Sequence, residues 1–100
     1  MDINGVLVTP LSIINTKGGD VLHAMKSIDQ GYLGFGEAYF SKADSKAIKG
    51  WKLHKKMTLN LVVPVGSVRF ILYDNRSERN NTSQFQEVIL DEKYNYSRLT

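Results

Sequence analysis

The sequence predicts an all-β domain, and two features of its 100 residues carry this prediction. Short runs of β-branched and aromatic residues alternate with polar residues, as in strands that bury one face. Glycine is the main separator between these runs, since the chain has eight Gly and only two Pro. Glycine adopts the backbone angles of tight turns, so this pattern favours strands joined by turns. The length predicts one domain over residues 1–100, with one small core.

The strand signals in the first half of the chain are short. Residues 6–8 form an apolar run that Pro10 ends. Residues 21–28 fit two structures, because Asp20 is a suitable helix cap while the residues after it also alternate as in a strand. The flanking glycines favour the strand. After a glycine-rich turn, residues 37–40 resume an extended segment.

The clearest alternation lies in residues 47–56, which predict a strand with two distinct faces. Lys52 and His54 are two positions apart and therefore fall on the same face, about 7 Å from each other. Trp51 falls on the opposite face, where we expect a core position or a dimer contact. The first face holds Ile48, Gly50, Lys52 and His54, and the second holds Ala47, Lys49, Trp51 and Leu53.

The second half of the chain carries longer strand signals. Residues 59–65 are almost continuously apolar, which predicts a strand covered on both faces, with Pro64 at its end or at an irregularity. Residues 68–74 and 85–90 predict two further strands. Residues 75–83 are the most polar stretch and predict a surface loop between them.

The last residues begin a strand pattern that is still running at Thr100. Tyr94, Tyr96 and Leu99 occupy its apolar positions. A small domain buries only about two thirds of its surface, so the loss of closing strands would remove much of its core. We therefore expect this chain to be shorter than a complete folding unit and to lack C-terminal strands.

Composition excludes several classes of protein. The chain contains no cysteine, which excludes disulfides, thiol nucleophiles, zinc ribbons and iron–sulfur clusters. It has neither an apolar run of about 20 residues nor the N-terminal pattern of a secretory signal. From this we expect no membrane partner and a location in a reducing cytoplasm.

The charge balance is mildly basic, with 13 Lys and Arg against 10 Asp and Glu. Most of these cations are spread along the chain, whereas nucleic-acid-binding domains concentrate them on one element, so we expect no nucleic-acid partner. One local cluster spans residues 46–56. It is interpreted either as a solvated strand face or as a pocket for a phosphorylated small molecule.

Four segments carry a resemblance to a known family. The most specific is a basic residue and glycine followed by His-Lys-Lys, which stands at residues 49–56. An apolar strand and Gly-Ser follow at residues 61–67. Over roughly residues 20–100 the chain resembles the cupin sugar epimerases, relatives of dTDP-4-dehydrorhamnose 3,5-epimerase and of the WxcM-like sugar 3,4-ketoisomerases. The segments read GEAYFS from Gly36, IKGWKLHKK from Ile48, LVVPVGSV from Leu61 and LYD from Leu72.

The resemblance implies a cupin-like β-barrel or jelly roll that pairs as a homodimer. Such proteins bind a nucleotide-linked 4-keto-6-deoxy sugar in the barrel mouth, in surface-polysaccharide (lipopolysaccharide) biosynthesis. A base removes the proton beside the ketone, and an acid or water returns it on the other face or at another carbon. The reaction uses no metal and no cofactor, because groups that face the ketone oxygen stabilise the enolate. The chain is thereby expected to be an isomerase or epimerase.

The residue-by-residue match to the family is partial. Lys49 stands where the family commonly has an arginine that approaches the nucleotide phosphates, and it lacks that residue's bidentate geometry. Lys52 stands where the family has its catalytic histidine, and His54 matches the second histidine of the ketoisomerases. The family's Lys-Lys pair is matched at residues 55–56, whereas Leu59 replaces a lysine of the epimerases.

Lys52 and His54 are the first candidates for catalysis, and three assignments remain open. His54 is the base and Lys52 stabilises the enolate oxygen, or Lys52 is itself the base. A lysine that is desolvated beside other cations has a lowered pKa, which suits that second role. In the third assignment His54 is a hydrogen-bonded structural histidine and Lys52 is a surface or phosphate-binding charge.

Further candidates each have a structural alternative. Tyr39 is a proton donor or a ring platform for the sugar, or a half-buried strand tyrosine. Glu37 orients the imidazole or accepts a sugar hydroxyl, or faces water at a turn. Arg69 and Arg76 reach the phosphates, or are exposed. His23 is interpreted as structural.

No metal site is expected in this segment. A metal-binding cupin needs His-x-His followed by Glu four or five residues later. Lys52 occupies the first histidine position, and Thr58 and Leu59 occupy the two glutamate positions. Besides the enzyme, two functions stay open, namely a sugar-nucleotide-binding cupin without chemistry and a scaffold or interaction module.

Overall fold

The computed structural model describes residues 2–76 and 84–100, and all regular structure in these ranges is β. Seven strands form three small antiparallel sheets, in the orders β1-β7-β4, β2-β3 and β5-β6. The all-β prediction is therefore confirmed. The strands are β1 (Val8–Pro10), β2 (Ile13–Ile14), β3 (Val21–Leu22), β4 (Leu61–Val62), β5 (Ser67–Tyr73), β6 (Phe85–Asp91) and β7 (Ser97–Leu99).

The three-stranded sheet joins the two ends of the chain to its middle. Strand β7 lies at its centre, with Leu99 opposite both Val8 of β1 and Leu61 of β4. Beyond the strands, the backbones of Leu7 and Thr100 exchange two hydrogen bonds of 2.9 Å. Every residue of β7 is buried, as expected for a central strand that is paired on both edges.

The β5–β6 hairpin supplies the other side of the core. Exposed and less exposed residues alternate along β5, because successive side chains point to opposite faces of a strand. The inner faces of β5 and β6 pack against Leu61, Val63 and Leu99. This core consists of Val63, Val88, Leu90 and Leu99, with Val6, Leu61, Val68, Phe70 and Leu72 packed around them.

The predictions for the second half of the chain hold best. Strands β5 and β6 agree with the predicted strands at residues 68–74 and 85–90 to within one residue at each end. The apolar run at residues 59–65 forms only the two-residue strand β4, and Pro64 follows that strand as expected. Val65 is 80% exposed, so the prediction of a strand covered on both faces is wrong at this end. Most of the predicted polar loop lies outside the described residues.

Three strand predictions in the first half are wrong wholly or in part. Residues 21–28 form a strand only at Val21–Leu22, and residues 37–40 and 47–56 form none. Alternation produces a strand only where a neighbouring edge accepts its backbone hydrogen bonds and a core covers one face. Neither condition is met at residues 47–56, where every residue is exposed. The two faces predicted for that strand therefore do not exist, and the core position expected for Trp51 is also wrong.

Candidate functional site

Residues 32–58, here called the exposed segment, contain all the catalytic candidates. Every residue of the segment is exposed and none lies in a strand. Its two ends meet, because the Asn60 amide donates to the Gly31 carbonyl (3.1 Å) and accepts from the Thr100 hydroxyl (2.7 Å). Long stretches without regular structure inside small domains are uncommon and are often functional. The segment is thus a long surface loop that begins and ends beside the three-stranded sheet.

Trp51 attaches the exposed segment to the β5–β6 hairpin. Its indole meets the Tyr73 ring edge-on, with the ring centres 6.5 Å apart. Tyr73 in turn packs on Phe85, the residue opposite it in the hairpin, at 4.9 Å. All three rings keep a large exposed area, with 71% of Trp51, 44% of Tyr73 and 57% of Phe85 accessible. The three rings form an open aromatic surface at the end of the hairpin.

Lys52 and His54 follow Trp51 directly and are both exposed. Within residues 2–76 and 84–100, neither side chain makes a hydrogen bond or an ion pair. Neither residue lines either of the two clefts described below. The expected dry cavity around this pair is therefore not formed by the described part of a single chain. The strand spacing that would hold the two side chains about 7 Å apart is absent as well.

Tyr39, Glu37 and Lys49 also lie on the exposed segment. Tyr39 is 63% exposed, which does not agree with the half-buried strand position considered as its alternative. Glu37 is exposed. The Lys49 ammonium donates to the Ser41 hydroxyl (3.0 Å) and to the Lys42 carbonyl (2.9 Å), so it closes a loop within the segment. Both acceptors are neutral, so the positive charge of Lys49 is not compensated by them.

Arg69 and Arg76 both pair with carboxylates. On the outer face of the hairpin, the Arg69 guanidinium donates to Glu87 across the two strands at 2.7 Å. Arg76 donates to both oxygens of the buried Asp74, at 2.8 and 2.9 Å, and to the Asn4 carbonyl at 2.8 Å. The hydrogen bonding to Asp74 and the charge of that carboxylate raise the pKa of Arg76 above its ordinary value. Phosphate binding by either arginine would compete with a carboxylate that is already in place.

A polar cleft of about 160 Å³ lies away from these candidates, between β1, the end of β7 and the loop that follows β3. The loop is shaped by a turn at residues 26–29, in which the Asp29 carboxylate accepts the Lys26 amide at 2.8 Å and the Asp29 amide donates to the Lys26 carbonyl at 3.0 Å. Arg98 of β7, which is only 1% exposed, is hydrogen-bonded to the same loop. It donates to the carbonyls of Ala24 (2.7 Å) and Gln30 (3.2 Å). The cleft is lined by Thr9, Pro10, Leu11, Ser12, His23, Ala24, Met25, Lys26, Asp29, Gln30 and Arg98.

Sequence reasoning did not find this cleft. His23 was expected to be structural, and its carbonyl does accept the Tyr96 hydroxyl at 2.7 Å. His23 also lines the cleft, however, together with Arg98, which lies far from it in the sequence. A single arginine in the short strand β7 carries no local signal that it will be buried. Only the pairing of β7 with β1 brings these residues together.

A second cleft, of about 290 Å³, lies beside the β2–β3 hairpin. Its lining is mixed, with two acids, one lysine and three apolar residues. In the described ranges, no three His, Asp or Glu side chains are grouped so that they would hold a metal ion. The cleft residues are Ile13, Asp20, Leu22, Pro64, Glu92 and Lys93.

The described residues include no helix with the length and apolar character needed to cross a membrane. Comparison of the chain with protein-family models, with curated proteins and with solved structures found no match.

Proposed function

We propose that this chain binds a nucleotide-activated 4-keto-6-deoxy sugar and epimerises or isomerises it by proton abstraction beside the ketone. The observation that carries the proposal is the exposed aromatic surface of Trp51, Tyr73 and Phe85 beside the cations of the exposed segment. Exposed rings stack on a nucleobase, and neighbouring cations attract a diphosphate. The sequence resemblance to the cupin sugar epimerases supports the same class of ligand.

Lys49, Lys52 and His54 lie within three positions of Trp51. A nucleotide that stacks on the Trp51 ring therefore brings its phosphates and sugar to these side chains. In this proposal Lys49 binds the phosphates, while Lys52 and His54 contact the sugar. Tyr39 and Glu37 lie on the same segment, and their hydroxyl and carboxylate are the further groups that this proposal assigns to the sugar.

Proton abstraction needs a drier environment than one chain provides, because a lysine in water stays protonated at neutral pH. The exposed segment carries large apolar side chains whose contact with water is unfavourable, among them Phe40 at 97% and Ile48 at 99% exposure. The outer face of the hairpin adds Ile71 and Ile89. We propose that a second copy of the chain covers these residues, so that the homodimer encloses the reacting groups.

Solvent isotope exchange tests the catalytic part of the proposal. The chain is incubated in D₂O with dTDP-4-keto-6-deoxyglucose, and deuterium at the carbon beside the ketone is measured by NMR. Exchange is expected with the wild-type chain, and its loss is expected in both Lys52→Ala and His54→Ala. Lys17→Ala, at an exposed lysine outside the segment, is the matched control and keeps the exchange.

Binding and oligomeric state separate the two other functions. If the sugar nucleotide binds without exchange, and Trp51→Ala weakens that binding, the chain is a sugar-nucleotide-binding protein without chemistry. If neither binding nor exchange occurs, the enzymatic proposal is wrong. The exposed apolar residues then favour an interaction module, and light scattering shows whether its partner is a second copy. A monomer at micromolar concentration would contradict the proposed dimer.

A further inference from the structure

The cleft beside Arg98 has an excess of positive charge. Arg98 and Lys26 contribute two cations, and Asp29 contributes the one carboxylate in its lining. Arg98 is 1% exposed, so its charge is screened little by water or salt. The side chain of Asp29 is 27% exposed and its charge is screened more. The charged residues that line the cleft therefore carry a net positive charge.

The buried guanidinium is only partly compensated by the residues around it. Two of its hydrogen bonds go to the neutral carbonyls of Ala24 and Gln30. The nearest carboxylate oxygen, from Asp29, is 3.4 Å from Nη1, a long contact for an ion pair. In the described part of the chain, Nε has no hydrogen-bond partner at all. A buried cation with incomplete pairing is costly, and an added anion nearby lowers that cost.

The cleft also holds polar side chains that are not engaged elsewhere. His23, Lys26 and Ser12 line it, and their side chains have no hydrogen-bond partner within residues 2–76 and 84–100. Their backbones, in contrast, are fixed: the His23 amide donates to the Ser12 carbonyl at 3.0 Å, and the Lys26 amide donates to Asp29 at 2.8 Å. The donors are thus available at a site whose backbone is already organised, which favours binding.

We propose that this cleft binds a compact oxyanion, a phosphate or carboxylate group. Lys26 and His23 contact the anion directly, and the positive charge of the buried Arg98 guanidinium attracts it. The volume of about 160 Å³ corresponds to several water molecules, at roughly 30 Å³ each. A group of this size fits. None of the residues that line the cleft belongs to the exposed segment, so the site is separate from that segment and independent of the function proposed there.

Titration followed by backbone NMR tests the proposal. The full chain is titrated with inorganic phosphate, and in a second series with acetate, at constant ionic strength set by chloride. Saturable shifts are expected at the amides of His23, Ala24 and Lys26. Lys26→Gln is expected to weaken binding about fivefold, because it removes one charged donor. Lys17→Gln, which removes an exposed lysine outside the cleft, leaves the affinity unchanged.

The two series also identify the ligand chemistry. Saturation with both anions assigns the site to oxyanions in general, and saturation with phosphate alone assigns it to phosphate groups. The proposal is overturned if neither anion gives saturable shifts at residues 23–26. It is also overturned if Lys17→Gln weakens binding as much as Lys26→Gln, since the effect would then come from overall charge alone.

Discussion

Leu90 and its neighbour Ile89 provide a direct test of how the core is arranged. They are adjacent on β6, but Leu90 is 1% exposed and belongs to the core, whereas Ile89 is 47% exposed on the outer face of the hairpin. Leu90→Ala removes most of a side chain from a packed environment and leaves a cavity. Such a change costs about 3 kcal/mol. Ile89→Ala loses only partial burial and strand propensity, about 1 kcal/mol or less.

Urea and thermal unfolding of both variants measure this difference. For a domain of this size, about 3 kcal/mol corresponds to a melting temperature roughly 12–24 °C lower. In urea it corresponds to a midpoint about 1.5 M lower, at a typical slope near 2 kcal/mol/M. Equal losses in the two variants, or a larger loss for Ile89→Ala, would refute the assignment of the inner and outer faces. The unfolding is measured at a concentration at which light scattering shows a monomer, because the proposed dimer would cover Ile89.

Two further predictions concern polar contacts. The amides of Lys93 (2.8 Å) and Tyr94 (3.0 Å) donate to the Asp91 carboxylate, and these bonds lower its pKa. A lowered pKa in the folded state stabilises the protein above about pH 4, and this contribution is lost as the pH falls further through the lowered pKa. Asp91→Asn is therefore expected to destabilise the chain at pH 6, and the difference from the wild type in urea unfolding is expected to shrink as the pH falls below about 4. A pH-independent difference would contradict this. Tyr96→Phe removes the hydroxyl that donates to the His23 carbonyl at 2.7 Å and is expected to cost about 1 kcal/mol in the same assay. Tyr94→Phe, at an 88% exposed ring, is the control and is expected to leave the free energy of unfolding unchanged. An equal loss of stability in both variants would contradict the role assigned to the Tyr96 hydrogen bond.

The arrangement of the candidate site depends on tertiary contacts that the sequence does not show, as Lys52 and His54 illustrate. Their grouping depended on a strand at residues 47–56, inferred from alternation alone. Alternation describes which side chains would share a face if the segment were extended and paired. Without a neighbouring strand, this segment is exposed and forms no strand, so the two faces that the alternation predicts are not formed. Lys52 and His54 are candidates because of their chemical type. Their arrangement in space depends on a neighbouring strand, which no local sequence pattern specifies.

The sequence by itself determined the two strands of the β5–β6 hairpin. Val68, Phe70 and Leu72 alternate along β5, as Val88 and Leu90 do along β6, and the hairpin buries these positions, so local pattern and tertiary burial agree there. Tertiary structure alone decided the burial of Arg98 and the cleft around it. Arg98 is held by carbonyls near residue 24 and residue 30, through contacts that cross about 70 positions of the chain. Such contacts form only when β7 inserts between β1 and β4. That arrangement is stabilised by contacts throughout the fold, so no single segment of the sequence specifies it.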